Sequence, residues 1–235
     1  MSDNKKKRKG YLRRYWFYDL HMVLCYPLWA LFFRPKRIVV GDNAKKFIKG
    51  GALICLNHRS AADTTYIQMV SPWRHNHIVA GEVAFTNKFA SLILKLLLAI
   101  PINREAFSYG QFRDIVNLLK EGKIVNIFCE GKMTAKDVDI EPVKEGPVLM
   151  AYAAKVPIIP VYLRTRESKF ERLRIGYGEP IYLDKLGYTS RDKLGEIPEL
   201  IRSKLLELME VVEEDYKKTR RYRRKKAKEW KTILL

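Results

Sequence analysis

From Arg37 onward the chain alternates short apolar runs with helical periodicities. Ile38 to Val40, Ala52 to Leu56, His77 to Ala80, Ile124 to Phe128 and Ile158 to Leu163 are brief apolar runs with turn residues nearby, a pattern that predicts buried strands. Between them Phe112, Ile115, Val116 and Leu119 recur at i, i+3, i+4 and i+7, and Phe89, Leu92, Ile93 and Leu96 repeat the same spacing. After Pro198 a longer helix is predicted by Leu200, Ile201, Leu205, Leu208, Met209 and Val212, with charges on its other face. Strands alternating with helices give an α/β fold, a mostly parallel or mixed sheet flanked by helices. There is no internal repeat, and 235 residues suit one sizeable core.

The amino terminus breaks this pattern. Lys5, Lys6, Lys7, Arg8, Lys9, Arg13 and Arg14 precede an apolar stretch from Tyr15 to Phe33 that holds Trp16, Phe17, Tyr18, Tyr26, Trp29, Phe32 and Phe33. It resembles a signal peptide only superficially, because no small-residue cleavage site follows and Asp19, His21 and Pro27 interrupt it. A spanning helix needs about 20 predominantly apolar residues, so the stretch is marginal for crossing a bilayer. Aromatic and basic side chains together suit the headgroup boundary instead, where a ring buries its face and keeps a polar edge wet. The expectation is an amphipathic, membrane-associating segment over residues 1–36, a helix pair broken near Pro27 and lying in one leaflet. An amphipathic helix packed on the protein's own core is the alternative.

Charge strengthens the membrane reading. Lys and Arg outnumber Asp and Glu 45 to 26, a formal net charge of +19, which implies an anionic partner, either nucleic acid or an acidic membrane surface. The chain ends in a basic tail over 217–235, with Lys217, Lys218, Arg220, Arg221, Arg223, Arg224, Lys225, Lys226 and Lys228 around Tyr222 and Trp230. This is either a disordered tail or an extension of the preceding helix onto an anionic surface, where each Lys or Arg gains roughly 1 kcal/mol. The three cysteines, Cys25, Cys55 and Cys129, have neither disulfide nor zinc-ligand spacing and read as small buried hydrophobes in a reducing compartment.

Candidate chemistry begins at Leu56-Asn57-His58-Arg59-Ser60-Ala61-Ala62-Asp63, which follows a strand and opens a helix. A neutral imidazole can take a proton from an alcohol, and a carboxylate on its other nitrogen fixes the tautomer and stabilises the imidazolium that develops. Five residues of separation bring Asp63 to His58 only if the histidine precedes regular helix, at the strand-to-helix corner. A helix cap beside a surface histidine is the alternative for such a pair standing alone.

Three further segments change that balance. Ile100-Pro101-Ile102-Asn103-Arg104 is an apolar strand ending in Arg; Ile127-Phe128-Cys129-Glu130-Gly131-Lys132-Met133-Thr134 follows; and Val156-Pro157-Ile158-Ile159-Pro160-Val161 is a proline-bracketed apolar strand. With His58 and Asp63 these four blocks, in this order, resemble the 1-acylglycerol-3-phosphate acyltransferase family, whose first block is His, four residues, then Asp. Smaller echoes stand at Gly50-Gly51, Val143-Lys144-Glu145-Gly146 and Gly178-Glu179-Pro180-Ile181, so the likeness runs from about Val40 to Val212. An acyltransferase domain is expected over 37–216.

The resemblance implies transfer of a fatty acyl group from acyl-CoA or acyl-acyl-carrier-protein to the free hydroxyl of a lysolipid, with neither metal nor bound cofactor. His58 is then the general base and Asp63 its orienting partner, and backbone N–H groups near the corner stabilise the oxyanion. Ser60 and Cys129 need no covalent role, and Ser60 reads as a helix-start hydrogen-bonding residue. Arg104, Glu130, Gly131 and Lys132 fall to the acceptor site, while Leu94, Leu96, Leu97 and Leu98 border an acyl groove or simply form helix core. The third block departs from the family's Phe-Pro-Glu-Gly-Thr-Arg-Ser: Cys129 replaces Pro, Lys132 replaces Thr and Met133 stands where Arg contacts phosphate. The retained Arg104 and the new Lys132 favour an anionic acceptor, with lysophosphatidic acid leading and a phosphate-free lysolipid as alternative. An enzyme on the cytoplasmic face of an anionic membrane accounts for all these features together. A nucleic-acid-binding protein leaves the four blocks unexplained, so no nucleic acid is expected, and an inactive membrane module leaves the intact His58 and Asp63 unexplained.

Overall fold

In a computed structural model the chain forms a three-layer α/β/α domain; residues 2–44, 49–103, 106–134, 139–168, 170–186 and 191–233 are described. A long helix α1 (Ser2–Phe33) leads into β1 (Lys36–Val39), β2 (Ala52–Leu56), α2 (Asp63–Val70) and β3 (Asn76–Gly81). A short 3-10 helix at Glu82–Phe85 precedes α3 (Lys88–Leu96), β4 (Ala99–Ile102), α4 (Tyr109–Lys120), β5 (Ile124–Phe128) and α5 (Glu145–Ala154). The chain closes with β6 (Ile158–Arg164), β7 (Arg174–Tyr177), a 3-10 turn at Arg191–Glu196, α6 (Ile197–Lys217) and α7 (Arg220–Ile233).

The seven strands form one mixed sheet in the order β1-β7-β6-β2-β5-β3-β4. Strands β6, β2, β5, β3 and β4 run parallel, whereas β7 pairs antiparallel to β6 and carries β1 parallel to itself. Along β2 the side chains alternate between two cores. Leu53 and Cys55 face α4, α5 and α6, while Ala52, Ile54 and Leu56 face the layer of α2 and the inner sides of α1 and α3. Burial on both faces is why β2, β5 and β6 read as continuous apolar runs. Gly51 at the entrance to β2 is required by contact: a Cβ there would lie 2.1 Å from the Leu119 carbonyl oxygen that ends α4.

Two expectations are corrected at the ends of the chain. The predicted break near Pro27 does not occur, because α1 is a single helix of 32 residues with Pro27 inside it. A proline in a helix interior costs about 3 kcal/mol, and α1 is held at two places, one on each side of Pro27, against that cost. At one, mid-helix, Tyr15 stacks on His75 at 4.2 Å, and Tyr18, whose hydroxyl burial pushes up to about 12, donates to Gln68 Oε1 at 2.6 Å. At the other, Leu173 N donates to Phe33 O at 2.8 Å and Phe33 meets Tyr66 edge-on. At the carboxyl end, the basic run is neither a disordered tail nor a continuation of α6. It forms a separate helix, α7, after a break at Lys218-Thr219, and Lys225 pairs with Glu167 at 2.8 Å.

One side of α1 packs on the sheet through Tyr26, Trp29 and Phe33, yet Trp16, Leu20, Val23, Leu24, Leu28, Leu31 and Phe32 remain exposed on the other. Val83 and, from α3, Phe89, Leu92 and Ile93 are exposed as well. None of the described helices is long and apolar enough to cross a membrane. Leu98 does not border an acyl groove: it is buried against Tyr15 and Tyr18, where its carbonyl accepts from Ile78 N at the start of β3. That edge of the sheet is opposite the one that carries the predicted chemistry.

Candidate active site

The carboxyl ends of parallel strands are where open α/β sheets collect their chemistry. Strand β2 ends at Leu56, and seven residues later α2 begins at Asp63, so His58 lies on non-helical backbone as its spacing from Asp63 demands. Asn57 fixes the exit from the sheet. Its buried amide donates to Leu163 O at 3.0 Å, and its Oδ1 accepts from Leu163 N at 2.7 Å, a two-point clamp onto β6.

Asp63 closes the corner on itself. Its Oδ2 accepts from Arg59 N at 2.7 Å and Ser60 N at 2.8 Å, and it lies 3.2 Å from His58 Nδ1. Asp63 is fully buried, so the hydrogen bonds and the ring are what offset the cost of placing a carboxylate there. A carboxylate on Nδ1 selects the tautomer with the proton on that nitrogen and leaves Nε2 as the basic atom. Ser60 has the local role expected of it, its Oγ accepting from Ala62 N at 3.2 Å just before α2.

Strand β5 supplies the other wall. The His58 ring stacks on Phe128 with centroids 3.9 Å apart and an interplanar angle of 11°. Next along the chain, Cys129 is buried against Cys55, and contact with that thiol together with burial pushes the Cys129 thiol up, so it stays protonated and is no nucleophile. Glu130, only 2% exposed, then reaches back under the histidine. Its Oε1 accepts from His58 N at 2.8 Å, and its Oε2 accepts from Thr134 Oγ1 at 2.9 Å and Glu141 N at 3.0 Å. Thr134 N also donates to His58 O at 2.8 Å. The first and third blocks are thus tied at both backbone groups of His58.

Of the residues assigned to the acceptor side, Gly131 (φ 73°) makes the turn out of β5 and Lys132 projects from it. Lys132 is 64% exposed and lies 3.3 Å from Glu141, while Met133 is 58% exposed. Arg104 lies outside the described residues. Three contributions were not assigned from sequence: the Asn57 clamp, the Phe128 stack, and Arg59, which is buried with its Nη2 3.9 Å from Met209 Sδ on α6. All are long-range contacts; the only signal available was that Asn57, Arg59 and Phe128 fall inside matching blocks.

The chain is similar to known proteins in sequence and in fold. An acyltransferase family model matches residues 36–164. A 1-acyl-sn-glycerol-3-phosphate acyltransferase of Bacillus subtilis is 31% identical over 138 residues, covering 56% of this chain and 68% of the relative. One bearing the same name from Streptococcus pneumoniae is 26% identical over 160 residues, covering 65% and 58%. The fold is that of a 1-acyl-sn-glycerophosphate (LPA) acyltransferase from Thermotoga maritima, with a TM-score of 0.58 at 19% identity over 89% of this chain and 84% of that one. With a histidine–aspartate pair at the carboxyl edge of that sheet and its block order intact, the chain belongs to the 1-acylglycerol-3-phosphate (lysophospholipid) acyltransferase family and is an acyltransferase.

Proposed function

We propose that the protein transfers a fatty acyl group from an acyl-CoA or acyl-acyl-carrier-protein thioester to the free hydroxyl of 1-acylglycerol-3-phosphate, giving phosphatidic acid for phospholipid synthesis. The observation that carries this reading is the His58 Nδ1–Asp63 Oδ2 contact at 3.2 Å on a corner braced by Glu130. His58 Nε2 removes the proton from the acceptor hydroxyl as its oxygen attacks the thioester carbonyl. A tetrahedral oxyanion forms, the carbon–sulfur bond breaks, and the thiolate leaves with the proton returned from His58. Asp63 holds the ring and balances the imidazolium charge between those steps. Arg104, Gly131 and Lys132 supply the acceptor side, with Glu130 holding their loop in register with His58.

The protein works on the cytoplasmic face of an anionic membrane. A helix that is apolar all round is ordinarily enclosed by its own fold, yet α1 leaves Val23, Leu24, Leu28 and Leu31 exposed, and α3 adds Phe89 and Leu92 on the same side of the sheet. Basic side chains flank that side: Arg166 lies over the Phe32 and Phe33 rings, and Arg34 donates to the carbonyl of exposed Phe170. Apolar wedges fringed by cations suit an acidic leaflet. Incubating the purified protein with radiolabelled acyl-CoA or acyl-acyl-carrier-protein and a panel of lysolipids, then identifying the products by chromatography, tests the reaction. Labelled phosphatidic acid is expected; turnover confined to other acceptors would remove this assignment.

A further inference from the structure

The third block leaves a chemical gap, because Met133 offers no charge to an anionic head group and the exposed Lys132 is already within 3.3 Å of Glu141. A second lysine comes to the same turn from a different part of the chain. Lys144 is the residue just before α5, and its backbone N donates to Cys129 O at 3.0 Å, which ties it to the end of β5. From there its side chain runs across the face of Gly131. A Cβ built on that glycine would lie 3.5 Å from Lys144 Cγ and 3.6 Å from Cε, ordinary van der Waals contact along the stem.

The contacts are continuous with the catalytic base. His58 stacks on Phe128 at 3.9 Å, Gly131 N donates to Phe128 O at 3.1 Å, and the Lys144 stem covers Gly131. The ammonium is one bond beyond Cε. Lys144 is exposed and, among the described residues, has no carboxylate partner, unlike Lys132. A lysine stem held along apolar or backbone surface keeps its compact charge available to solvent or ligand.

We infer that Lys144 is a specificity-determining residue of the acceptor site, its ammonium meeting the phosphomonoester of the lysolipid across Gly131 from His58. This rests on the acceptor proposed above. Gly131 has a defined part in it: without a side chain at the turn, the Lys144 stem and the head group approach the same stretch of backbone. Lys132 then serves the loop, through Glu141, more than the ligand.

The test uses the full chain in nonionic micelles, where attachment to an acidic surface plays no part. Two acceptors with the same acyl chain are compared, lysophosphatidic acid and monoacylglycerol, which lacks the phosphate. Lys144→Met is expected to lower the ratio of their kcat/KM values by about ten- to a hundredfold, the usual cost of losing a charged hydrogen-bond partner, and Lys144→Arg to restore most of it. Lys132→Ala should lower the ratio less. Equilibrium binding of lysophosphatidic acid to donor-free protein is measured alongside and should weaken in Lys144→Met in the same proportion. An unchanged ratio, a parallel fall for both acceptors, or a larger effect from Lys132→Ala would each overturn the assignment. If the unmodified protein does not acylate lysophosphatidic acid at all, the acceptor proposal fails by itself. The lysine is then judged on binding alone: weaker binding in Lys144→Met supports it, and equal binding refutes it.

Discussion

The corner that holds His58 and the turn that follows Glu130 adjoin each other and are built by opposite means. In the corner the polar groups are buried and tied by hydrogen bonds: Asp63 Oδ2 accepts two backbone N–H groups, Glu130 accepts three donors, and Asn57 clamps β6, while Asp63 Oδ1 is buried without a partner among the described residues. On the turn, the Lys132 and Met133 side chains are exposed, and Lys132 is restrained by a surface ion pair with Glu141. Buried bonded groups are costly to disturb, whereas exposed ones tolerate substitution at little cost. The family's third block has accordingly changed in this chain at the exposed positions Lys132 and Met133, while the buried Glu130 stands. The other two departures are buried and conservative: Cys129 replaces one small core residue with another, and Thr134, at the Ser position, keeps the hydroxyl that donates to Glu130 Oε2.

The severest test of the contrast is the base itself. His58→Ala should reduce turnover by about 10²–10⁴-fold, the usual contribution of a positioned general base, with folding intact by circular dichroism. Asp63→Asn should fall within about the same range, since an amide at that site no longer enforces the Nδ1–H tautomer and its NH₂ opposes two backbone donors. Near-normal turnover in folded His58→Ala would remove that residue from the mechanism.

The next effect is read on vesicles. Because Tyr15 and Tyr18 are part of the fold, deleting α1 would confound attachment with stability, so substitutions belong on its outer side. Val23, Leu24 and Leu28 changed together to Ser should weaken sedimentation with anionic vesicles by about a thousandfold or more, given roughly 1.5–3 kcal/mol per apolar side chain buried and a factor of ten per about 1.4 kcal/mol. Truncation before Arg220 removes α7 and should matter less and only at low salt, because exposed charges are screened beyond about 10 Å at 0.1 M. Equal vesicle binding in both variants would end the surface-attachment reading.

Glu130 tests whether the brace belongs with the corner or with the turn. In Glu130→Gln one oxygen still accepts, but the new NH₂ faces either His58 N or the Thr134 and Glu141 donors. Unfolding by urea should show a loss of roughly 1–3 kcal/mol, and kcat should fall about tenfold as His58 loses register. Wild-type stability with a raised KM would instead place Glu130 on the acceptor.

These contacts also mark how far the sequence could be read. Strands β2 and β5 match their apolar runs residue for residue because both faces are buried and turn residues bound them, Gly51 and Asn57 on either side of β2 and Gly122, at φ 79°, before β5. Strand β7 was missed. Its Arg174 is buried against distant partners, Asp215 at 3.0 Å on α6 and the Tyr216 ring, as well as Glu171 at 3.6 Å, and a charge in a short run reads as surface. Helix α5 was missed for the opposite reason, being apolar on nearly every side and without a period. The His58–Asp63 pair was legible because its geometry is local. The Glu130 bond to His58 N joins residues 72 apart, and periodicity or spacing carries no trace of it.

The smallest expected effect is at Lys132, and it bears most directly on the contrast. Its ammonium is 64% exposed and its partner Glu141 is itself part-exposed, so their pair is of the kind worth about 0–1 kcal/mol. If Lys132 also touches the acceptor phosphate, it does so from solvent and equally in the bound and transition states, which places its contribution in KM and not in kcat. Lys132→Ala should therefore raise the KM for lysophosphatidic acid by no more than about fivefold. Steady-state kinetics at fixed acyl donor, at two ionic strengths, measure this, and the difference should shrink at the higher one. A loss of kcat comparable with that of Asp63→Asn would mean that the exposed turn is as much part of the catalytic framework as the buried corner, and the division between them would not stand.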